Sequence, residues 1–377
     1  MSKNVRLNVE EDLLSTVNEL FKKMLEKDAA DVLIVPQDVP SGACTVQTLV
    51  RYPAGLRALN PFAFVLPSNS ADILVKTTDQ ASQERIVVVF RPCELRAVFE
   101  LAKLNQINLD NVTLISVDCL GTLPVPEYVE LAQKSENGLT MKLLFDVQKG
   151  GKESLLGLDL RSACQICELP VMDNADVSIC TIGLNLQKEV LLKANTPKGE
   201  EFLGAIGMEL SEEEDPESRK KALEQLFKVK AEAREKLDAQ VKEEVKDIAG
   251  YMTVLASCIN CHNCMKVCPI CYCKECFFDS DILKPSPKQL LDKSEKRKVV
   301  RMPIDTTLYH IGRMNHMITS CVSCGMCESA CPSKLPLLAI YHAFGSDVQA
   351  LFNYVAGRSL EEELPLATFK EEELESA

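Results

Sequence analysis

Two cysteine runs in the last third of the chain constrain it most. The first is Cys258-Ile-Asn-Cys261-His-Asn-Cys264-Met-Lys-Val-Cys268-Pro269, and the second is Cys321-Val-Ser-Cys324-Gly-Met-Cys327-Glu-Ser-Ala-Cys331-Pro332. Each reads C-x2-C-x2-C-x3-C-P, the spacing of bacterial two-cluster ferredoxins. Three thiolates at steps of three residues, on a loop wrapped around a cube, reach three irons of one cluster. The fourth, followed by a chain-turning proline, reaches the other cluster. The spacing therefore predicts one 4Fe-4S cluster on Cys258, Cys261, Cys264 and Cys331, and another on Cys321, Cys324, Cys327 and Cys268. Disulfides are the competing use of so many cysteines, but the N-terminal Met1-Ser-Lys-Asn-Val-Arg lacks the apolar core of a secretory signal. Zinc sites rarely take four cysteines from one run, and two copies each ending in proline do not fit them.

The chain has 377 residues, 17 cysteines and no tryptophan. That length suffices for two or three domains with real cores. No apolar stretch approaches the length of a membrane span, and the cysteine content points to a reducing, anaerobic cytoplasm. A net charge of −13 opposes binding to nucleic acid. It suits solubility and neutral or basic protein partners.

Read in order, residues 9 to 27 place Leu13, Val17, Leu20, Phe21, Met24 and Leu25 at helical spacing. Asp31-Val-Leu-Ile-Val-Pro is a short strand. Pro40 to Val46 is a small-residue turn entering a helix, and the segments beginning at Ala63 and Ile73 read as further strands. Arg85 to Phe90 is a strand apolar on both faces, as parallel strands are. It ends at Arg91-Pro92-Cys93-Glu94. A helix over Leu95 to Leu104 follows, then a second buried strand, Asn111 to Asp118, ending at Cys119. This is a βαβ unit, and both cysteines lie just past strand carboxyl ends, where open parallel sheets place their sites. Residues 149 to 161 read as loop. A C-x2-C pair at Cys164 and Cys167 precedes another strand, Ala175 to Gly183.

Between 211 and 249 the chain turns rich in Glu and Lys, with a narrow apolar stripe typical of a solvated helical strut. The expected organisation is an α/β domain with a mostly parallel sheet over 1–210 and a charged helical linker over 211–249. A mainly helical two-cluster domain follows over 250–345, with a C-terminal helix and arm over 346–377. Helices are expected around Leu308 to Ile318, from Pro336 to Phe344, and again from Ser346 to Val355. The acidic tail from Gly357, with isolated Leu364, Leu366 and Phe369, reads as an extended arm laid on another surface.

Cys93, Cys119, Cys164 and Cys167 form a second constellation. From the residues alone it is either a third cluster site or a set of unrelated buried thiols acting as small hydrophobes. Cys271, Cys273 and Cys276, crowded behind Cys268, read as packing thiols or as an extra metal site. His262 and His316 read as structural, because neither ferredoxin run lacks a cysteine. Arg91 either steadies an anionic group or makes an ordinary ion pair.

Arg91-Pro-Cys93-Glu94, Val117-Asp-Cys119-Leu-Gly, and Cys164-x2-Cys167 followed by Ala175-Asp-Val-Ser and Gly183 resemble the beta-subunit family of deazaflavin (coenzyme F-420)-reducing hydrogenases and formate dehydrogenases. The resemblance runs from about residue 31 to 185, and the C-terminal dicluster region resembles that of formate dehydrogenase beta subunits. It implies FAD and a third 4Fe-4S cluster on Cys93, Cys119, Cys164 and Cys167. It also implies that Ser41, Gly42 and Thr45 belong to a small-residue loop near the flavin, with Arg91 beside it. The function expected is an electron-transfer subunit of an anaerobic oxidoreductase of formate dehydrogenase, hydrogenase or heterodisulfide-reductase type. Its partners would be other subunits and a soluble carrier such as ferredoxin, NADH or deazaflavin. The alternative is a relay and docking subunit without flavin. No catalytic acid, nucleophile, G-x-G-x-x-G loop or P-loop is present.

Overall fold

The computed structural model of the chain describes residues 3–78, 83–135, 138–148 and 158–367. Its centre is a seven-stranded sheet: β1 (Lys3–Asn8), β2 (Val32–Asp38), β3 (Thr45–Val50), β4 (Ile86–Phe90), β5 (Val112–Val117), β6 (Val177–Cys180) and β7 (Glu189–Ala194). The spatial order is β1-β7-β6-β5-β4-β2-β3. The middle run β2-β4-β5-β6 is parallel, with Ile86 opposite both Val32 and Val112. β3 closes one edge as the return of a hairpin from β2, and β7 and β1 continue the other edge antiparallel. Because β1 opposes β7 and β7 opposes β6, β1 again runs with the central four.

The pleat divides the core. Val87 and Val89 face one apolar cluster with Phe21, Met24 and Leu13 of helix Leu13–Glu26. Ile86, Val88 and Phe90 face the other, which continues without a break into Tyr309, Leu335 and Tyr341 of the cysteine-run region. The C-terminal third is therefore built onto one face of the sheet. Its elements are short helices and turns between Ile248 and Leu351, with the described start of the tail folded back beyond them.

Several local expectations need correction. Pro40 to Val46 does not enter a helix; the turn opens strand β3, as β-branched Thr45 and Val46 favour once a partner strand is beside them. Residues 63 to 66 are buried without regular structure, and Ala71–Thr77 is a helix rather than a strand. Short apolar runs do not distinguish these states by pattern. The two expected C-terminal helices are one, Leu337–Leu351, running through Gly345. Strands β1 and β7 are found where no strand was expected. Most of the loop expected at 149–161, and Phe369, lie outside the described residues.

The charged helix spans Glu217–Glu244 and is only half a strut. Phe227 and Val229 are exposed, whereas Arg219 and Lys230 are buried. Arg219 pairs through two nitrogens with the buried carboxylate of Asp118, which also accepts from the amides of Thr181 (2.8 Å) and Ile182 (2.9 Å). Gly183 (φ +75°) lets the helix come this close, since a Cβ there would lie 2.6 Å from Arg219 Cα. The tail is tied down similarly. Glu100, fully buried, accepts from Gly357 N (2.7 Å), from Lys103 Nζ (2.8 Å) and from the Tyr354 hydroxyl. Arg96 donates to Ala356 O (2.9 Å). Leu364 packs on the core of this same chain, while Leu366 stays exposed.

Candidate functional site

Three gaps in the packing are rimmed by cysteines, and together they use twelve of the seventeen. The first lies at the carboxyl ends of the parallel strands. It is lined by Cys93, Cys119, Cys164 and Cys167. Cys93 is delivered by the turn after β4, where Pro92 opens helix Pro92–Lys103 and Glu94 reaches back to the Arg91 amide (2.9 Å) and to Ser70 N (3.1 Å). That reciprocal cap fixes the first turn of the helix. Cys119 follows β5. Cys164 sits on the single helical turn Ser162–Gln165, and Cys167 just beyond it. At Gly121 (φ +116°) a side chain would collide with Leu160 and approach Cys164 Cβ to 3.2 Å.

This gap is surrounded by cations. Arg91 Nη1 lies 3.4 Å from Cys119 Sγ, and Arg161 Nη2 lies 3.7 Å from Cys164 Sγ. Thr122 donates its amide to Cys164 Sγ (3.3 Å), Lys230 Nζ donates to Cys164 O, and Arg96 also lines the gap. Burial pushes the Cys164 thiol up, yet Arg161 and the Thr122 contacts outweigh it and bring the thiol below its ordinary range. Cys93 and Cys167 stay above that range, chiefly through burial. The buried positive charge beside these sulfurs suits an anionic group, which a plain apolar cysteine cluster has no need of.

The second gap is lined by Cys268, Cys321, Cys324 and Cys327, the third by Cys258, Cys261, Cys264 and Cys331. The two runs fold alike because their loops use left-handed residues at matching places: Asn260 and His262 in one (φ +55° and +60°), Ser323 and Gly325 in the other (φ +54° and +71°). Each loop then enters a one-turn helix, Asn263–Lys266 or Met326–Ser329. Amides turn toward the sulfurs, with Asn260 N 3.4 Å from Cys258 Sγ and Leu335 N 3.4 Å from Cys331 Sγ.

The gaps stand in a row. Cys324 lines both the first and the second. Arg161 spans the same boundary, donating to Thr122 Oγ1 (2.8 Å), Cys324 O (3.4 Å) and Ser329 Oγ (3.3 Å). Gly325 makes the approach possible, since a Cβ there would fall 2.5 Å from that of Ala163. Between the second and third, Arg313 donates to Tyr341 Oη (3.2 Å). His310 Nδ1 bonds the same hydroxyl (3.0 Å), and its Nε2 is 3.3 Å from Cys258 Sγ. Burial, then Arg313, push His310 down to about 4, so its ring is neutral at physiological pH. The Tyr309 hydroxyl lies 3.3 Å from Cys264 Sγ. The row ends at the surface, where Cys261 is exposed.

At the opposite end, a cavity of about 190 Å³ lies against Arg91 and is walled by Val89, Phe90 and Val117 at the sheet's carboxyl edge. Of the four residues tied to a flavin by resemblance, Thr45 and Arg91 line it. Ser41 and Gly42 are exposed in the β2–β3 turn and do not. Gln47, Ser70 and Glu94 do line it. Glu94 belongs to the Arg91-Pro-Cys93-Glu94 motif, whereas sequence pattern singles out neither Gln47 nor Ser70, nor Arg161, Lys230, His310, Arg313 or Tyr341. His262 is held by Asp279 (2.7 Å) and stacks on Tyr309.

Among the described residues, no group of three or more His, Cys, Asp or Glu closes in on the position of a single metal ion. Four thiolates spread around a gap answer instead to a polynuclear iron–sulfur group, whose irons each take one cysteine. With every cysteine free of disulfides, the donor set fits such a group at all three gaps. No helix among the described residues is long and apolar enough to cross a membrane.

Residues 254–335 match the 4Fe-4S dicluster domain family. Over 90% of its length the chain is 26% identical to the F-420-dependent formate dehydrogenase subunit beta of Methanocaldococcus jannaschii, covering 91% of that protein. Over 93% it is 26% identical to the F-420-dependent formate dehydrogenase 1 subunit beta of Methanococcus maripaludis, covering 92%. A chain of the F-420-reducing NiFe hydrogenase complex from Methanosarcina barkeri superposes with a TM-score of 0.47 at 14% identity, over 66% of this chain and 94% of that one. The chain thus carries a 4Fe-4S dicluster domain behind an α/β domain, and its likeness to deazaflavin-linked formate dehydrogenase beta subunits extends over nine-tenths of its length.

Proposed function

We propose that this chain is the iron–sulfur electron-transfer subunit of an oxidoreductase complex of the deazaflavin-linked formate dehydrogenase type. The observation that carries the reading is the row itself: a cavity at Arg91, then three cysteine-rimmed gaps, the first two meeting at Cys324 and the last two linked through Arg313, Tyr341 and His310, ending at exposed Cys261. Two gaps in isolation would make a ferredoxin. A continuous row from a sheet-edge cavity to the opposite surface makes a conductor between two partners.

In this reading Cys93, Cys119, Cys164 and Cys167 hold one 4Fe-4S cluster, and each ferredoxin-type gap holds one more. When bound, these groups accept and pass single electrons. The chain's own residues set where that happens. Arg91, Arg161 and Lys230 place positive charge around the first gap, which favours its reduced, more negative state. Arg313, Tyr341 and neutral His310 join the other two with hydrogen bonds that stiffen the sulfur positions. The wall shared by the first two gaps keeps their centres close, and burial of their cysteines limits access by water and oxidants.

The cavity at Arg91 is the place for a flavin ring, with Thr45, Gln47 and Arg91 as its polar contacts. At about 190 Å³ it holds a ring system and not a whole dinucleotide. The rest of an FAD would have to run outward across the surface. The domain limits drawn from sequence belong to the same proposal: sheet domain to residue 210, charged helix to 249, dicluster region to 345, then the arm.

Iron and flavin analysis of the anaerobically purified chain tests this. About twelve irons per chain are expected, about eight from the dicluster region and about four from the first gap, with FAD released on denaturation. Eight irons would remove the first gap from the relay. Twelve irons without flavin would leave a relay that receives its electrons from a partner.

A further inference from the structure

Of the five cysteines outside the row, three lie together: Cys271, Cys273 and Cys276. All three line one cavity of about 680 Å³, in the size range of small-molecule sites. It shares Ile270, Arg313 and Met317 with the wall of the second gap, and it takes in Met265, next to Cys264 of the third. Cys273-Lys-Glu-Cys276 has the C-x-x-C spacing of dithiol redox sites. The chain bends at Lys274 and Glu275, between the two thiols. Their exposure differs as such chemistry requires. Cys273 is exposed, while Cys276 is half-buried with its thiol 3.3 Å from Met265 Sδ. Lys266, Lys274 and Arg313 line the same cavity; of its two carboxylates, Asp279 is engaged by His262 at 2.7 Å.

We propose that Cys273 and Cys276 form a dithiol–disulfide couple that reduces a small anionic disulfide, drawing electrons from the neighbouring row. The inference rests on the electron-transfer reading above. The Cys273 thiolate attacks one sulfur of the bound disulfide, bonding to it and releasing the other half as a thiol. Cys276 then attacks the Cys273 sulfur, releasing the second half and leaving a Cys273–Cys276 disulfide. Two electrons, passed singly across the Ile270–Arg313–Met317 wall, and two protons from solvent restore both thiols. Overall, one disulfide, two electrons and two protons give two thiols. Lys266 and Lys274 hold the substrate's negative groups, and Cys271, on the same wall, is hydrogen-bonded to Cys268 of the second gap.

The test uses the full-length, iron-loaded chain with reduced methyl viologen as electron source and glutathione disulfide as the anionic probe. Turnover of the probe is expected, falling at least tenfold in Cys273→Ser while iron content and viologen-driven bleaching of the iron–sulfur absorbance stay unchanged. Cys276→Ser should accumulate a glutathione adduct on Cys273, located by peptide mass mapping. Oxidised wild-type protein should map a Cys273–Cys276 linkage. The inference is overturned if fully iron-loaded, viologen-reducible protein gives no turnover. It is equally overturned if Cys273→Ser loses iron or zinc, which would make these cysteines metal ligands. Failure of the protein to hold iron at all would instead sink the electron-transfer reading beneath it.

Discussion

The gap at the sheet edge and the two gaps of the ferredoxin-type runs hold the same four-cysteine inventory but are made in opposite ways. In each run three cysteines come from seven consecutive residues, shaped by a pair of left-handed residues and one helical turn. Only the fourth arrives from the other run. At the sheet edge, Cys93 and Cys119 come from two different strand ends and Cys164 and Cys167 from a third segment. No local motif shapes that gap; the register of β4, β5 and β6 does. The difference appears again in the charges. The sheet-edge gap collects Arg91 and Arg96 from the start of one helix, Arg161 from a second segment and Lys230 from a third, whereas the run gaps rely more on loop amides and aromatic hydroxyls. A locally encoded site is stable to what happens far away. A site assembled across the fold is exposed to every element that holds it.

That contrast can be broken most forcefully at Arg219. It is far from the cysteines in sequence, but it locks the charged helix that carries Lys230. Removing one partner of a buried, hydrogen-bonded pair costs about 3–5 kcal/mol, so Arg219→Ala should lower the chemical-denaturation midpoint sharply. Iron should be lost from the sheet-edge gap before the run gaps, as followed by iron content and EPR during mild denaturation. Equal loss from all three would erase the proposed difference.

Cys164→Ala should remove about four irons of about twelve and leave the EPR signals of the other two centres in place. Cys321→Ala should do the reverse. An unchanged iron count in the first variant would strike Cys164 from the ligands.

Arg161→Gln removes a charged donor shared by Thr122, Cys324 and Ser329. Buried charged hydrogen bonds are worth roughly 1.5–3 kcal/mol, and loss of positive charge should also move the sheet-edge midpoint potential downward in a redox titration. An unshifted potential would mean that Arg161 serves packing alone. The same boundary is tested by Gly325→Ala. The left-handed backbone costs about 1–2 kcal/mol, and the new methyl, 2.5 Å from that of Ala163, adds a clash that the two segments must move apart to relieve. Thermal melting should show a loss above the backbone term alone, together with slower electron exchange between the two gaps that meet there.

Much of this architecture is legible in the order of the amino acids. The two runs, their exchange of fourth cysteines, the βαβ unit and the strand-end positions of Cys93 and Cys119 are all matters of spacing and periodicity, and these depend on neighbours a few residues apart. Short apolar segments are less legible. Residues 63–66, and Ala71 and Leu74 of the helix that follows, are buried by their surroundings, and burial alone does not separate coil, helix and strand. The charged helix is the most misleading, because a composition rich in Glu and Lys says nothing about which Lys or Arg turns inward.

By itself, then, the amino-acid sequence determined the local chemistry: which thiols could act together, and the loops that present them. Only the tertiary structure decided the row. It seated Cys324 on two gaps at once, brought Arg161 across their boundary, and carried Lys230 from a helix that looks solvated to the back of Cys164. Those contacts join residues between about 66 and 168 positions apart. They are chosen by the packing of one sheet face against the C-terminal region, and no spacing rule along the chain can express them.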